Sequence, residues 1–389
     1  MTVIITTILA LNIMFVPKAL SSPDTNPPLV NSEAAIMIDS DSGTALYEKN
    51  ATAQMYPASL TKIATAIFAI ESGKLDSVVT VSRNARETEG TRVYLEEGEK
   101  VPLKKLIQGL LINSGNDAGV AIAEHMSGSV EAFSAEINDY LENVVGIENT
   151  HLENPHGLYD PDHVTTAEDL AKLTQYAMNN EIFREIFGTK ELKWNGEKWD
   201  TLLITHHKLM REMPYEGITG GKTGFVSQSG FTLATTVDRE DLSLIVITLN
   251  SNMQKVAYKD TTSLLDFGFE NFKTGSISEG ITFMVGDQEY RTPEELFFTH
   301  TKNEQVNKEI TEDGDLKLID QDGTVLNSYH LDTVKKDKRD DPKMTMSKSQ
   351  DVQTSSLFGD DFSKLILVVV ILTIGIVGII YRQVRKSEE

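Results

Sequence analysis

Three β-prone runs in the second half of the chain constrain its fold more than any other feature. They cover residues 222–226, 230–236 and 242–249, and polar turns such as Asp238-Arg239-Glu240-Asp241 separate them. Short runs joined by tight turns predict a three-stranded antiparallel meander. Such a sheet must bury an apolar face, so other parts of the chain have to supply helices that cover it.

Earlier segments supply both a further hairpin and the helices. Residues 34–39 and 44–47, joined by Asp41-Ser42-Gly43, predict two paired strands near the start of the sheet. Apolar residues at helical spacing predict helices over 59–72, 103–112, 118–125 and 166–179, and a closing helix from about 260 to 272. We therefore expect an α/β fold of the α+β type, with an antiparallel sheet flanked by helices in a domain covering residues 33–275.

The segment after this domain has a different composition. Short β-prone pieces at 281–285 and 316–319, the latter paired with Val325 across Gln321-Asp322-Gly323, predict a small β-rich module over 276–334. Residues 335–363 are mainly Lys, Asp, Ser, Thr and Gln, and burial of so few apolar side chains cannot offset the entropy of ordering them. We expect a flexible linker there.

The two ends of the chain predict export and a membrane anchor. An apolar run at 3–16 followed by small residues predicts a signal peptide over residues 1–21. Residues 365–381 are uncharged and as a helix would measure about 26 Å, enough for a transmembrane helix. Arg382, Arg385 and Lys386 then predict a cytoplasmic tail, 382–389, and an extracytoplasmic domain on a single-pass protein of the cell membrane.

Charge and cysteine content exclude several classes of function. The net charge of -22 argues against nucleic acid as a partner, because phosphate binding needs clustered cations. The chain has no cysteine, which rules out disulfides and thiolate zinc sites. His151, His156 and His163 lack the spacing of a metal site, and we expect neither a metal nor a cofactor.

A serine and a lysine in Pro57-Ala58-Ser59-Leu60-Thr61-Lys62 form the first candidate catalytic element. Three residues apart at a helix start, their side chains share one face, so an amine of lowered pKa can take the serine proton. Dipoles of the helix N-terminus favour the negative charge that develops. Taken alone, the pattern fits equally well a helix cap with a solvated lysine.

Two further motifs accompany this pair. Ser114-Gly115-Asn116 lies between two predicted helices, and Lys222-Thr223-Gly224 opens a predicted strand. Ser114 can relay a proton to a leaving amine, and the Asn116 amide can hold a substrate amide. Lys222 and Thr223 can bind a terminal carboxylate, and Gly224 lets a peptide approach the strand. A second Lys-Thr-Gly, 273–275, follows a predicted helix, and we interpret Gly275 as a helix stop.

In their order and approximate separation the three motifs match the trio of penicillin-binding proteins and serine β-lactamases. The chain resembles the low-molecular-mass penicillin-binding proteins, the serine D-alanyl-D-alanine carboxypeptidases that trim peptidoglycan stem peptides, over about residues 33–275. The segments 153–158 and 163–171 are similar to that family too. A serine β-lactamase is disfavoured by them, and a catalytically idle wall-binding homologue by the intact motifs.

This resemblance implies a role for each motif residue. Ser59 would be the acylated nucleophile that β-lactams trap, Lys62 its base, and Ser114 with Asn116 the second element. Lys222, Thr223 and Gly224 would form the third, and the backbone amides of Ser59 and Phe225 an oxyanion hole.

Two positions depart from the family pattern. Phe225 stands where a histidine sometimes follows the triplet, and Ala257 stands where a carboxylate-binding arginine is common. We therefore expect the substrate carboxylate to rest on Lys222 and Thr223, assisted by Lys255 or Lys259.

Overall fold

Helices occupy the middle of the chain and strands lie on both sides of them in the computed structural model, which describes residues 26–198 and 200–334. The strands are β1 (Ala34–Asp39), β2 (Ala45–Lys49), β3 (Val78–Thr80), β4 (Lys100–Pro102), β5 (Glu191–Asn195), β6 (Asp200–Ile204), β7 (Ile218–Val226), β8 (Gly230–Arg239), β9 (Leu242–Ser251), β10 (Phe272–Ile277), β11 (Thr282–Val285), β12 (Gln288–Arg291), β13 (Leu296–Thr301), β14 (Asn307–Ile310), β15 (Asp315–Ile319) and β16 (Val325–His330). The helices are α1 (Thr61–Glu71), α2 (Arg83–Glu87), α3 (Leu103–Ile112), α4 (Asn116–Ser127), α5 (Val130–Tyr140), α6 (Ala167–Met178), α7 (Glu181–Phe187) and α8 (Gln254–Asn271).

Five of the strands form the main sheet, in the order β2-β1-β9-β8-β7, and every pairing in it is antiparallel. The predicted hairpin and the predicted meander are both confirmed. All six residues of β1 are buried. Ala34, Ile36 and Ile38 pack into the core shared with the middle helices, whereas Ala35 and Met37 pack into a second core with residues of α8. Because both faces are covered, β1 is a continuous apolar run rather than an alternating one.

The middle helices place two of the motifs at the edge of the sheet. Helix α1 is buried along most of its length, which fits its run of Ile and Ala residues. Helix α3 ends at Ile112, and Asn116 is already the first residue of α4, so the break between them is shorter than predicted. The 3₁₀ turn before α1 contacts β7 and β8, and Ser114, which precedes α4, accepts a hydrogen bond from Lys222 of β7.

The chain after α8 forms a β-rich module that begins at Phe272, before the predicted start at residue 276. It contains the pairs β10–β13 and β11–β12 and the three-stranded sheet β14–β15–β16, around a small core that includes Tyr290, Phe298, Leu316 and Leu318. Asp39, at the end of β1, accepts hydrogen bonds from the Thr274 hydroxyl (2.8 Å) and the Thr299 hydroxyl (2.6 Å) of this module. The module is therefore attached to the main sheet by side chains as well as by the chain itself.

Two predictions near the module were wrong. Helix α8 begins at Gln254, not near residue 260, and it ends at Asn271. Gly275 is not a helix stop, because it lies inside β10 opposite Phe298. A Cβ at Gly275 would meet the Phe298 ring at 2.6 Å, so glycine is required by the packing of the neighbouring strand.

The predictions for residues 1–21, 335–363, 365–381 and 382–389 lie outside the described residues. Within 26–198 and 200–334, no helix combines the length and the apolar character that crossing a membrane requires. The described residues fall in one compact unit, which ends at Val334.

Candidate active site

Ser59 lies in a 3₁₀ turn, Ala58–Leu60, immediately before α1, rather than in the first turn of α1 itself. Ala58 has a φ of 48°, a left-handed conformation that is unusual for a residue with a Cβ. Neighbours hold this turn in place: the hydroxyls of Thr61 and Thr232 donate hydrogen bonds to the carbonyl oxygens of Ala58 and Pro57, at 2.8 and 3.1 Å. Backbone strain of this kind persists only where the surroundings enforce it, and it is common at active sites.

Lys62 contacts Ser59 as the sequence predicts. Its Nζ lies 2.8 Å from Ser59 Oγ and 2.6 Å from the carbonyl oxygen of His156, and the side chain is fully buried. Burial, helped by the positive charge of Lys222, holds the pKa of Lys62 well below its ordinary value. A neutral amine at this distance can accept the Ser59 proton.

Ser114 faces the first pair from the turn between α3 and α4. It also has a left-handed backbone, with a φ of 61°. Its Oγ accepts a hydrogen bond of 2.9 Å from Lys222 Nζ. The side-chain nitrogen of Asn116 donates to the carbonyl oxygen of Glu89 at 2.7 Å. Its side-chain oxygen can accept a hydrogen bond from the amide of a substrate.

Strand β7 brings the third motif to the same place. Lys222 is buried, and this burial lowers its pKa to about 7. Gly224 passes so close to the nucleophile that a Cβ there would lie 2.8 Å from the backbone nitrogen of Ser59. Phe225 follows with 55% of its surface exposed, and its ring packs on Phe231 with 4.6 Å between centroids.

The segment 155–157 packs against the 3₁₀ turn that carries Ser59. Gly157 has a φ of +85°, and a Cβ on it would come within 1.8 Å of the Ala58 carbonyl oxygen, so no other residue fits. His163 Nδ1 accepts from the Glu153 amide (3.0 Å), which leaves its Nε2–H to donate to the Thr61 hydroxyl (2.8 Å). Burial lowers the pKa of His163 to about 4, so the ring stays neutral in this role.

Among the described residues, His151, His156 and His163 do not form a cluster that could hold a metal ion. His156 and His163 hydrogen-bond to the backbone of their own segment, and His151 binds Glu153 on the surface. Among the described residues, the carboxylates of Glu153, Asp160 and Asp162 lie close together, in a partly exposed position.

A cleft of about 350 Å³ opens in front of these groups. It is lined by residues from the turns before α1 and α4, from two loops, from α8 and from strands β7 and β8: Ser59, Thr91, Ser114, His206, Thr223, Gly224, Phe225, Phe231, Thr232, Leu233, Gln254, Ala257 and Tyr258. The structure thus brings the residues of the three motifs together, and Lys62, Ser114, Asn116 and Lys222 are buried there. Lys255 and Lys259, which we expected to assist, do not line the cleft.

Sequence reasoning missed two groups at this site. Asp117 is fully buried, and its carboxylate accepts hydrogen bonds from the amides of Val93 (3.0 Å) and Leu95 (3.1 Å), which holds the loop beside the cleft. An acidic residue in the first turn of α4 was the available signal. His206 lines the cleft, but nothing in its local sequence distinguishes it from the neighbouring His207.

The fold and these motifs together define the class: a mixed α/β protein of the penicillin-binding type. The structure is similar to penicillin binding protein 5 from Haemophilus influenzae, with a TM-score of 0.72 and 25% identity, over 79% of this chain and 98% of that one. It is also similar to penicillin binding protein 6B from Escherichia coli, with a TM-score of 0.66 and 27% identity, over 78% and 96% of the two chains.

Sequence comparison gives the family. A family model described as D-alanyl-D-alanine carboxypeptidase matches residues 21–253. The chain is 31% identical to the D-alanyl-D-alanine carboxypeptidase DacF of Bacillus subtilis over 272 residues, 67% of this chain and 68% of the relative. It is 31% identical to DacC of Escherichia coli over 67% of each chain. The chain belongs to the D-alanyl-D-alanine carboxypeptidase family and is a serine peptidase.

Proposed function

We propose that Ser59 removes the terminal D-alanine of peptidoglycan stem peptides through an acyl-enzyme. The observation that carries this assignment is the 2.8 Å contact between Ser59 Oγ and the buried Nζ of Lys62. Because burial and the neighbouring Lys222 outweigh the opposite effect of Asp117 and lower the pKa of Lys62, its neutral amine can act as the base for the attack.

The first half of the reaction transfers the acyl group. Ser59 Oγ attacks the carbonyl carbon of the penultimate D-alanine as Lys62 takes its proton. The backbone amides of Ser59 and Phe225 stabilise the oxyanion. Ser114, bound to Lys222 at 2.9 Å, passes its proton to the leaving nitrogen and regains one from Lys62, which thereby returns to the neutral amine. D-alanine departs with its carboxylate near Thr223.

The second half releases the product. Water attacks the ester on Ser59 as Lys62 takes one of its protons, and Lys62 then returns this proton to the departing Ser59 oxygen, which restores the serine hydroxyl and the neutral amine. No cofactor takes part in either half. A β-lactam presents a strained amide to the same serine, so it would form an adduct on Ser59.

The test is D-alanine release from a short acylated peptide ending in D-Ala-D-Ala, by the full chain in detergent. We expect release by the wild type and by Ser72→Ala, whose serine lies at the far end of α1, and none by Ser59→Ala. Absence of release from a folded wild type that penicillin labels on Ser59 would contradict the proposed substrate.

A second measurement separates this function from a β-lactamase. Intact mass after addition of penicillin should show a persistent adduct, whereas a β-lactamase would return quickly to the free mass. A folded protein that penicillin does not label would support an idle wall-binding homologue instead.

The chain ends support a location for this activity. The apolar run at 3–16 supports export, and residues 365–381 with the following cations support a single-pass anchor that leaves the site outside the cell membrane. Carbonate washing of membranes tests the anchor: the full chain should stay with the membrane, and a chain ending at residue 364 should be released. Equal release of both would contradict it.

A further inference from the structure

One end of the cleft carries no permanent cation on its wall. There, beyond Thr223, the apolar side chains of Phe231, Leu233 and Ala257 form the floor. Gln254, Tyr258 and His206 supply the polar atoms around it, and none of the described residues that line the cleft is an aspartate or a glutamate. The leaving D-alanine has a small methyl group that suits this floor, but its carboxylate needs a positively charged or strongly donating partner.

The two lysines expected to assist do not reach this place. Lys255 and Lys259 lie on the exposed face of α8, and neither lines the cleft, whereas Ala257 and Tyr258 between them do. The Nζ of Lys222 is already bonded to Ser114 Oγ (2.9 Å) and to the carbonyl oxygen of Thr223 (2.8 Å). A different residue must therefore complete the carboxylate site.

His206 is held toward the cleft by the anchoring of its neighbours. The ring of His207 is buried, and its Nε2 lies 2.9 Å from the Thr235 hydroxyl of β8. On the other side of His206, Thr205 is also buried. The amide of Lys208 donates to the Tyr258 hydroxyl at 2.9 Å, which fastens the loop to α8. With this backbone fixed at both sides, the ring of His206 is presented at the cleft wall.

His206 is exposed at the cleft, yet partial desolvation of its ring lowers its pKa. Positive charge on Lys222 of β7, on Lys62 of α1 or on Arg211, after the 3₁₀ turn Lys208–Met210, lowers the pKa further. In the empty cleft the ring is therefore mostly neutral near pH 7. A substrate carboxylate bound beside the ring would raise the pKa of His206, since an adjacent anion favours the protonated imidazole.

We propose that His206, together with Thr223, binds the C-terminal carboxylate of the substrate, at the site that Ala257 leaves without an arginine. This assignment rests on the proposed function, because it concerns the leaving group of that reaction. It makes recognition of the carboxylate dependent on a side chain that takes up a proton as the substrate binds.

Two D-alanyl thioesters test it with the full chain. They share the acyl group, and one leaving group is thioglycolate while the other is its uncharged methyl ester. The ratio of kcat/KM for acid over ester reports recognition of the carboxylate alone, since the acylated atoms are identical.

His206→Ala should lower this ratio about tenfold, through KM for the acid with little change in kcat, as expected for loss of one charge-assisted hydrogen bond. In the wild type the ratio should fall between pH 6 and pH 8, as His206 loses its proton, whereas His206→Arg should keep a high ratio over this interval. His330→Ala, an exposed histidine of the module, is the matched control and should match the wild type.

The outcomes separate the two proposals. If both thioesters acylate Ser59 in all variants and the ratio is the same in His206→Ala as in the wild type, His206 does not bind the carboxylate, although the peptidase assignment stands. If neither thioester nor penicillin acylates Ser59 in the folded wild type, the proposed function itself fails. A loss of turnover of both thioesters in His206→Ala alone would assign the residue a role in acylation and would also contradict carboxylate binding.

Discussion

Buried lysines in the cleft and a buried aspartate at the far side of the sheet have opposite surroundings. Lys62 and Lys222 each donate to one hydroxyl and one carbonyl oxygen, and neither forms an ion pair with a carboxylate of the described residues. Asp39 accepts from a backbone amide and from the hydroxyls of Ser42, Thr274 and Thr299. All three residues have at most 3% of their surface exposed.

The difference shows how burial of a charge can serve chemistry or structure. Donors that converge on Asp39 satisfy its buried oxygens and join the module to β1. The neutral oxygens around the two lysines cannot offset the cost of desolvation, so the amines release protons readily. The following changes test this contrast, from the largest expected effect to the smallest.

Replacing the cleft amine should affect activity far more than stability. Lys62→Met removes the base and keeps a similar volume, so acylation of Ser59 by penicillin should slow by about 10²–10⁴. The free energy of unfolding should change little, because a buried amine without a counter-charge contributes little net stability. Lys74→Met, at an exposed lysine beyond the end of α1, should leave both unchanged. Equal acylation rates in the two variants would contradict the role of Lys62.

The carbonyl that holds Lys62 depends on Gly157. Gly157→Ala adds a methyl group 1.8 Å from the Ala58 carbonyl oxygen and strains a φ of +85°. We expect a loss of about 3 kcal/mol in the free energy of unfolding, together with slower acylation. Gly280→Ala is the matched control: its φ is +79°, nothing lies within 4 Å, and strain alone should cost about 1 kcal/mol. Chemical denaturation measures both, and equal losses would show that the contact with Ala58 is unimportant.

Replacing Asp39 should affect stability far more than activity, the reverse of replacing Lys62. Asp39→Ala leaves buried hydroxyls without an acceptor and should reduce the free energy of unfolding by about 2 kcal/mol, with penicillin acylation unchanged while the protein is folded. Asp76→Ala, at an exposed position, should cost less than about 0.5 kcal/mol. Slower acylation in folded Asp39→Ala would remove the distinction between the two regions.

The pH dependence of stability should identify Lys222. Its pKa is about 7 in the folded chain and about 10.4 when unfolded, so above pH 7 the unfolded state binds more protons. The free energy of unfolding should therefore rise relative to that of Lys222→Met by about 1 kcal/mol between pH 7 and pH 8. Parallel denaturation curves for the two proteins over this interval would show that Lys222 stays charged.

Local sequence patterns were sufficient for most of the main domain. Strands β8 and β9 are apolar runs, and α1 has Ile residues at helical spacing, because these residues are buried in the core. Burial is visible in such patterns, so these elements were predicted near their true bounds. The start of α8 was not, because residues 254–259 include two lysines and bury little besides Ala257 and Tyr258. Gly275 was misinterpreted because its partner, Phe298, is far away in the sequence.

The site divides in the same way. Ser59, Ser114 and Lys222 belong to short motifs whose spacing is fixed by a helix start, a turn and a strand. Asp39 and His206 do not belong to such motifs. Only folding brings Thr299 to Asp39 and places His206 at the cleft wall. A polar residue in a polar stretch looks solvent-exposed until its distant donors are known.

The six-pair ladder between β10 and β13 also has a mechanical consequence. Because β10 begins one residue after α8 ends, the module has no free hinge at this junction. Tension applied at Val334 would pass through the ladder and the hydroxyls bound to Asp39 into β1. Strand β7, which carries Lys222, is the opposite edge of the sheet, with β9 and β8 between it and β1. A pull on the chain would thus be borne on the side of the protein away from the nucleophile.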